Sequence, residues 1–192
     1  MATEDLEQML KKLDYIRANC KKFKQALIKI APSEQFGGIG VFAVRNLAIG
    51  TKIGEVDYMD EGFFLAYADF KKIDKESQKI ITDFCANSKE GFFIPKDINY
   101  MSIPWHMNHC CDGNVGFDAG GNFVTIKKVK KGDELCYDYG FGMSNPKYKL
   151  VCRCKSSDCR KIITGNDWKN PEYVKKNYKY MSPEIKYLIK HK

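Results

Sequence analysis

Three cysteines lie close together in a polar segment in the last quarter of the sequence. Cys152 and Cys154 are separated by one residue, and Cys159 follows after four more. Zinc binds cysteine thiolates readily, and cysteines this close together suit one metal ion better than a disulfide. Because a structural zinc ion has four ligands, the pattern predicts a zinc site whose fourth ligand comes from another part of the chain.

A second segment offers that fourth ligand. The side chains that could supply it are those of Cys111, Cys110, His109 and His106. A separate metal centre formed by His106, His109 and Cys110 is the alternative, although a His-x-x-His spacing on an irregular segment is often accidental. The residue types alone leave this choice open.

A third segment combines acids with aromatic rings. Residues 134–139 read Glu-Leu-Cys-Tyr-Asp-Tyr and predict a short strand that carries Tyr137 and Tyr139. Tyrosines at this spacing either pack in a core or form an aromatic wall. Together, the three segments predict a metal site and an aromatic pocket.

Short strands and turns must position these segments. Turn-flanked apolar runs predict strands over 26–31, 41–44, 52–56, 92–94, 122–129 and 135–139. Apolar residues spaced by three and four predict helices over 4–23 and 64–86, and cap–proline pairs predict two helices after residues 170 and 182. The predicted fold class is mainly β with added helices. The first helix is expected to pack on the main domain or on a partner.

The composition is that of a globular protein. The 192 residues carry a net charge of +8, and 44% of them are hydrophobic, which gives no reason to expect extensive disorder. No apolar run approaches the length of a membrane span, and no signal peptide is recognisable. The cysteines are therefore predicted to be reduced, in an intracellular protein. The scattered Lys-Lys pairs indicate a solvated surface, with nucleic-acid contact as the weaker interpretation.

These segments, in this order, resemble the SET-domain protein lysine methyltransferases that carry a post-SET zinc motif. The glycine loop of that family is matched by Gly38-Ile39-Gly40, its Asn-His-Ser-Cys-x-Pro-Asn motif by residues 108–114, its Glu-Leu-x-(Tyr/Phe)-Asp-Tyr motif by residues 134–139, and its post-SET motif by Cys152, Cys154 and Cys159. The resemblance covers about residues 25–164. Cys110 and Gly113 stand where the family usually has serine and proline, and Trp105-His106-Met107 replaces its common Arg-Phe-Ile.

The resemblance implies a fold of small curved sheets with a threaded carboxyl-terminal pseudoknot. It selects Cys111 as the fourth zinc ligand, beside Cys152, Cys154 and Cys159. It implies a helical extension over residues 1–24, a SET domain over 25–142, a post-SET zinc motif over 148–164 and a helical tail over 165–192. Zinc is then expected to tie the post-SET motif to the wall of the active site.

The resemblance also implies S-adenosylmethionine as cofactor. Its binding residues are expected to be Gly38, Ile39, Gly40, Asn108, His109 and Tyr139. Tyr139 corresponds to the catalytic tyrosine, and Tyr137 to the residue that controls product methylation, where tyrosine favours mono- and dimethylation. Phe141 is a third candidate for the lysine channel, and Glu134 and Asp138 are expected to be structural.

The substrate implied by the resemblance is a histone tail or another lysine-rich protein. Residues 57–100 are expected to form much of the peptide groove, with Asp57, Asp60, Glu61 and Asp69 as possible acceptors for a basic peptide. Localisation is expected to be nuclear in a eukaryote, and cytoplasmic or delivered to a host in a bacterium or virus. Trp168 is a candidate for cofactor contact. The alternative function is a weak or inactive zinc-stabilised module that binds chromatin or nucleic acid.

Overall fold

The structure is a computed structural model that describes residues 2–19, 25–54 and 62–192. The helices are α1 (Ala2–Asn19), α2 (Tyr67–Phe70), α3 (Lys75–Phe84), α4 (Pro171–Asn177) and α5 (Pro183–Lys190). The strands are β1 (Ile28–Pro32), β2 (Ile39–Ala43), β3 (Lys52–Gly54), β4 (Gly62–Ala66), β5 (Gly91–Pro95), β6 (Asn108–His109), β7 (Val115–Phe117), β8 (Phe123–Thr125), β9 (Glu134–Tyr137), β10 (Lys149–Val151) and β11 (Ile162–Thr164). Short strands dominate, which confirms the predicted fold class.

The main sheet has the strand order β1-β2-β9-β7-β8-β3, and β6 also pairs with β9. Strand β9 is parallel to both β6 and β7, so that His109 and Val115 each pair with Tyr137. This pairing brings the Asn-His segment against the aromatic segment. The threading implied by the resemblance stays a prediction.

Two further sheets have two strands each. Strands β4 and β5 pair antiparallel in one, and β10 and β11 pair antiparallel in the other. The first sheet, with α2 and α3, surrounds a small core that contains Ile81, Phe92 and Ile94. The second leads into and out of the cysteine-rich segment, and it therefore fixes where that segment begins and ends.

The largest core joins the main sheet to the carboxyl-terminal helices. Val41 and Leu135 from the sheet lie in one hydrophobic cluster with Met181 and Ile185 from the tail, and none of the four has exposed surface. Asn170 and Ser182 cap α4 and α5 through their side chains, as the cap–proline pairs predicted. The tail is therefore part of the main hydrophobic core.

Three predicted elements differ from those observed. Residues 64–66, the predicted start of the helix over 64–86, belong instead to strand β4, because a short apolar run fits either structure and here pairs with β5. The predicted strand over 122–129 is limited to β8, followed by an isolated bridge between Leu47 and Val129. The predicted strand over 135–139 ends at Tyr137, and Tyr139 begins a 3₁₀ turn (Tyr139–Phe141).

Some predictions fall on residues that the structure does not describe. These are the end of the first helix over residues 20–23, the end of the strand over 55–56, and the acids Asp57, Asp60 and Glu61. Asp69, the remaining acid of that set, is exposed and pairs with Lys72 at 2.7 Å. Within the described part of the chain, no helix is long and apolar enough to span a membrane.

Helix α1 keeps its apolar residues at the surface. Its side chains of Leu6, Met9, Leu10, Leu13 and Ile16 are each at least 40% exposed. The expected packing of this helix on the main domain is therefore not observed, and contact with a partner stays a prediction.

Candidate active site and metal centre

Four cysteine sulfurs gather where the post-SET-like segment meets the Asn-His segment. The Sγ atoms of Cys111, Cys152, Cys154 and Cys159 all lie within 4.8 Å of one another. Four sulfurs held tetrahedrally by zinc at 2.3 Å are separated by about 3.8 Å, and Cys111 and Cys152 are separated by 3.8 Å. The donor set and its spacing fit one zinc ion.

Backbone amides point at the sulfurs of this cluster. The N–H groups of Arg160, Cys154 and Lys161 donate to Cys111, Cys152 and Cys159 respectively, each at 3.4 Å. Lys161 has a positive φ of 65°, which a residue other than glycine adopts only where the surrounding structure holds it. The loop thus directs amide dipoles at three of the sulfurs, an arrangement that would stabilise thiolates if the sulfurs bound a metal ion.

The thiols of the cluster differ in acidity. Although burial opposes ionisation, the hydroxyl of Ser156, 3.2 Å from the sulfur, helps lower the pKa of Cys154 to about 6. Burial raises the pKa of Cys152 to about 11. Cys154 therefore already favours the thiolate that a metal requires, whereas the Cys152 thiolate needs the charge of the ion.

The other candidate ligands lie outside this cluster. Among the residues described, the four cysteines are the only group of His, Cys, Asp and Glu side chains arranged to hold a metal. The ring of His106 packs against Phe84 at 5.1 Å, and the thiol of Cys110 hydrogen-bonds with Cys136. The alternative centre of His106, His109 and Cys110 is therefore wrong.

A buried carboxylate ties the cysteine loop to the turn that carries Tyr139. The guanidinium of Arg160 donates two hydrogen bonds of 2.6 Å to Asp138, which is 1% exposed. Asp138 in turn accepts the N–H of Gly140 at 2.9 Å and so caps the 3₁₀ turn. Arg160, whose own N–H contacts Cys111, was not singled out from the sequence. Only its position directly after Cys159 could have drawn attention to it.

His109 supports the same turn from the other side. Its Nδ1 accepts the backbone N–H of Tyr139 at 3.1 Å, so its proton is assigned to Nε2, which lies 3.4 Å from Cys111 Sγ. Burial lowers the pKa of His109 to about 4, against the influence of Asp138. The ring is therefore neutral near pH 7 and bridges the cysteine cluster to Tyr139.

An open cleft of about 480 Å³ lies beside these groups. Three of the predicted cofactor residues line it: Asn108, His109 and Tyr139. Its other walls are Phe36, Thr82, Asp83, Tyr148, Lys149, Leu150, Val151, Cys152 and Arg153. Of these, only Cys152 is a predicted site residue, and it was predicted as a zinc ligand. The volume lies within the range of about 300–1,000 Å³ that small-molecule sites occupy.

The glycine loop contacts the cleft indirectly. The side-chain amide of Asn108 donates to the carbonyl of Ile39 at 2.9 Å and to Glu134 at 2.8 Å. A Cβ at Gly40 would collide with that carboxylate. Gly38 has a φ of +67°, which glycine adopts freely. Ile39 and Gly40 thus lie against Asn108, and Gly38, Ile39 and Gly40 are not among the residues that line the cleft.

A narrow, largely apolar cavity of about 30 Å³ lies beside the tyrosine pair. Tyr137 lines it, and the ring centroids of Tyr137 and Tyr139 are 4.9 Å apart. Its other walls are Phe84, Ala86, Pro104, Trp105, Phe117, Phe123 and Gly142. Phe141 is not among them and packs against Tyr173 instead. The open cleft and the apolar cavity therefore meet at Tyr137 and Tyr139.

The hydroxyl of Tyr139 has one protein partner. It donates to the carbonyl of Met107 at 2.8 Å. Burial raises the pKa of Tyr139 above its usual value, so the phenol stays protonated. The oxygen keeps lone pairs that can accept a hydrogen bond from a bound molecule.

Comparison with known proteins agrees with this geometry. The SET domain family profile matches residues 38–140, which is more than half of the chain. This chain belongs to the SET-domain family. The match includes the glycine loop, the Asn-His segment and the aromatic segment, and it ends before the cysteine loop.

Curated relatives of this SET domain carry the name histone-lysine N-methyltransferase. The enzyme EZH2 of Chaetomium thermophilum is 30% identical over 131 residues, which are 62% of this chain and 8% of that protein. Histone-lysine N-methyltransferase 2D of Homo sapiens is 35% identical over 133 residues, 65% of this chain and 2% of that protein. The enzyme ash1 of Drosophila melanogaster is 33% identical over 66 residues, 31% of this chain and 3% of that protein. The chain thus spans less than a tenth of each relative.

The two departures from the SET motif have local explanations. A Cβ at Gly113 would lie 2.7 Å from the carbonyl oxygen of Cys136 and 2.9 Å from the Cα of Tyr137, so this backbone approaches β9 too closely for another residue. Cys110 is buried, and its N–H donates to the Tyr137 carbonyl at 3.1 Å. Both residues pack the Asn-His segment against the aromatic segment.

Trp168 is not among the residues that line the open cleft. It lies in the main core at 9% exposure, and its Nε1 donates to the carbonyl of Gly165 at 2.9 Å. The suggestion that it contacts a cofactor is therefore wrong. The indole follows the cysteine loop closely in sequence, but the turn after β11 directs it into the protein interior.

Proposed function

We propose that this protein is an S-adenosylmethionine-dependent protein lysine N-methyltransferase. The observation that carries the proposal is the meeting of an open polar cleft and a narrow aromatic cavity at Tyr137 and Tyr139. A methyl transferase of this class needs two entrances, one for the cofactor and one for the lysine side chain. SET-domain membership and the named relatives support the same activity.

S-adenosylmethionine, when bound, supplies an activated methyl group on a positively charged sulfur. We propose that Asn108, His109 and Tyr139 hold it in the open cleft, with Ile39 and Gly40 positioning Asn108 and Gly38 shaping the glycine loop. The backbone of His109 suits the adenine, and the side chain of Asn108 suits the amino-acid part. The side chain of His109 keeps its hydrogen bonds to the Tyr139 turn and the cysteine cluster.

The apolar cavity is suited to a neutral lysine amine. A free lysine has a pKa of about 10.4 and is almost fully protonated near pH 7. A cavity walled by aromatic rings disfavours the ammonium form because it removes the charge from water. We therefore propose that the amine loses its proton to solvent before it attacks, and that the reacting groups gain rate mainly from being held in line.

Tyr139 is the proposed catalytic tyrosine. Because its hydroxyl donates to Met107 and stays protonated, its oxygen can accept an N–H of the substrate amine. That hydrogen bond would direct the amine lone pair toward the transferring methyl group. Tyr139 thus orients the amine and does not act as a base.

Tyr137 is proposed to limit the product to mono- and dimethyl-lysine. Its ring packs against Phe117 at 5.9 Å and Phe123 at 5.3 Å between centroids, and all three residues line the small apolar cavity. A hydroxyl in this place occupies room and favours a polar neighbour, whereas a third methyl group needs apolar space.

We propose that the four cysteines bind one structural zinc ion. The ion would fasten residues 152–159 to Cys111, beside the wall of the cofactor cleft. We also propose the division into a helical extension over 1–24, a SET domain over 25–142, a post-SET motif over 148–164 and a tail over 165–192, although the tail shares the core of the SET domain.

The proposed substrate is a histone tail or another lysine-rich protein, by analogy with the names of the relatives. The same proposal includes contact with a nucleosome or nucleic acid through the basic surface. It also includes an intracellular location, which in a eukaryote is the nucleus. The overall charge of +8 is compatible with an acidic partner.

The decisive experiment combines cofactor binding with methyl transfer. Calorimetry should detect binding of S-adenosylmethionine, and labelled methyl groups should appear on lysine in a panel of histones and lysine-rich peptides, with sites mapped by mass spectrometry. Tyr139→Phe should bind the cofactor but transfer methyl groups about 10²–10³-fold more slowly, as expected when one oriented hydroxyl is lost. Absence of cofactor binding would favour the zinc-stabilised binding module instead.

A further inference from the structure

A second cavity of about 80 Å³ lies next to the aromatic cavity that we assign to the target lysine. Ala86 and Gly142 line both. The remaining walls of the second cavity are Phe93, Ser182, Pro183 and Glu184. Its volume is several times the roughly 10–15 Å³ that one water needs, so it can accept the end of a side chain. We name it the Glu184 cavity.

The carboxylate of Glu184 is poorly neutralised. Its only hydrogen bond in the described structure comes from the Ser144 hydroxyl at 2.8 Å, and no lysine or arginine of residues 25–54 or 62–192 forms a recorded ion pair with it. Burial and the nearby charge of Glu90 raise its pKa. A partly buried carboxylate with one neutral donor is best satisfied by a cation.

The walls of the Glu184 cavity suit the stem of a long basic side chain. Phe93 and Pro183 offer apolar surface along which a lysine or arginine stem can lie while its charged end meets Glu184. The ring of Phe93 adds a favourable surface for a cation.

The charge of the whole protein makes a local acidic site useful. With a net charge of +8, the protein repels a basic peptide at long range. Recognition of a lysine-rich segment therefore needs negative charge close to the lysine channel. Glu184 supplies it next to the shared wall, and Glu90 is close enough to act on the Glu184 carboxylate.

We propose that the Glu184 cavity binds a second basic side chain of the substrate, an arginine or lysine close in sequence to the methylated lysine. Glu184 is then a specificity-determining residue. This inference rests on the proposed methyltransferase function and names the sequence context that it prefers. The tail helix α5, which carries Glu184, thereby forms part of the substrate site.

Peptide binding and methyl transfer test this separately. The binding experiment uses calorimetry on the Tyr139→Phe variant loaded with S-adenosylhomocysteine. The reference peptide has a single lysine and alanine at every other position. In each test peptide, arginine replaces one alanine, at one of the three positions on either side of the lysine. We expect one arginine position to strengthen binding about 10-fold. In a Tyr139→Phe/Glu184→Gln double variant that preference should disappear, and with Glu184→Lys an aspartate at that position should be preferred instead.

Glu172→Gln is the matched control. Glu172 occupies the first turn of α4 after a proline, as Glu184 does in α5, and it is exposed. It should keep the arginine preference, and thermal unfolding should show that each variant is folded. Equal binding of arginine and alanine peptides, or a preference that persists in Glu184→Gln, would overturn the inference. Methyl transfer by the unsubstituted protein is measured in parallel, so that failure of the catalytic proposal is recognised independently of peptide preference.

Discussion

At the level of single residues, the site depends on side chains that act in pairs. Tyr139 is held through its hydroxyl by Met107 and through its backbone by His109, while Asp138 fixes the turn that follows. Tyr137 lies across from Tyr139 and faces a different cavity. Two tyrosines separated by one residue can thus have different tasks because the strand ends between them.

Tyr137→Phe should increase trimethyl-lysine. Removing the hydroxyl should make the small cavity lined by Tyr137, Phe117 and Phe123 larger and less polar, so a dimethylated amine can turn and accept a third methyl group. Mass spectrometry of a methylated peptide measures the product distribution. Tyr187→Phe, on an exposed tyrosine of α5, is the control and should leave the distribution unchanged. Abundant trimethyl-lysine from the unsubstituted protein would contradict the assigned role of Tyr137.

Arg160→Ala should impair catalysis without contacting the substrate. Asp138 would be left as a buried carboxylate without its bidentate partner, which costs about 3 kcal/mol of stability. Displacement of the Tyr139 turn by about 1 Å would lower kcat about 10²-fold. The measurements are kcat, KM and thermal unfolding at a temperature where the variant is folded.

Arg160→Lys separates positioning from stability. Lysine keeps the positive charge but has no planar fork for two parallel bonds, so stability should recover more than kcat. If kcat of Arg160→Ala equals that of the unsubstituted protein once it is folded, Arg160 has no positioning role.

At the level of elements, the cysteine cluster joins two segments whose nearest members, Cys111 and Cys152, are 41 residues apart. Cys111 follows β6, whereas Cys152, Cys154 and Cys159 lie between β10 and β11. The four sulfurs lie within 4.8 Å of one another, and the loop between β10 and β11 also contributes Cys152 and Arg153 to the open cleft. Metal binding and cofactor binding should therefore depend on each other.

Cys111→Ser should lose zinc and weaken S-adenosylmethionine binding together. Metal analysis should find about one zinc per unsubstituted chain and much less in the variant, and calorimetry should show the weaker cofactor affinity. Cys110→Ser is the control because Cys110 is not in the cluster and serine is the usual residue of the family at that position, so it should keep its zinc. Loss of zinc with unchanged cofactor affinity would show that the two sites are independent.

At the level of the whole molecule, one core connects the main sheet to the tail. Ile185 and Met181 are fully buried in the same cluster as Val41 and Leu135, and the Ser182 N–H donates to the carbonyl of Phe141 at 2.8 Å. The tail therefore stabilises the turn that follows Tyr139, even though it lies outside the family match.

Ile185→Ala should destabilise the protein by about 3 kcal/mol, as is typical of large-to-small changes in a packed core. In a chain of this size each kcal/mol lowers Tm by about 2–4 °C, so calorimetry should find a decrease near 10 °C. Tyr187→Ala, on the same helix but 61% exposed, should change stability by no more than about 0.5 kcal/mol. Similar decreases for both variants would mean that α5 is not anchored through its buried face.

The sequence by itself determined which candidate metal-binding and aromatic site residues are present. The spacing of Cys152, Cys154 and Cys159, the Asn108-His109 pair and the Tyr137/Tyr139 pair could be found because each depends on residue type and short separations. The mainly β class and both tail caps were equally accessible, since strands, turns and caps leave local patterns. The choice of Cys111 as the fourth zinc ligand needed the family motif, because four residues were chemically acceptable as that ligand.

Only the tertiary structure decided which distant groups meet. The bidentate bond of Arg160 to Asp138, the burial of Trp168 and the position of Glu184 beside the lysine cavity follow from packing between segments, and no local pattern encodes such contacts. Strand β4 was mistaken for helix for a related reason: a short apolar run fits both, and its pairing with β5 selects one. Local patterns specify which groups are present, whereas the packing of the whole chain specifies which of them share a site.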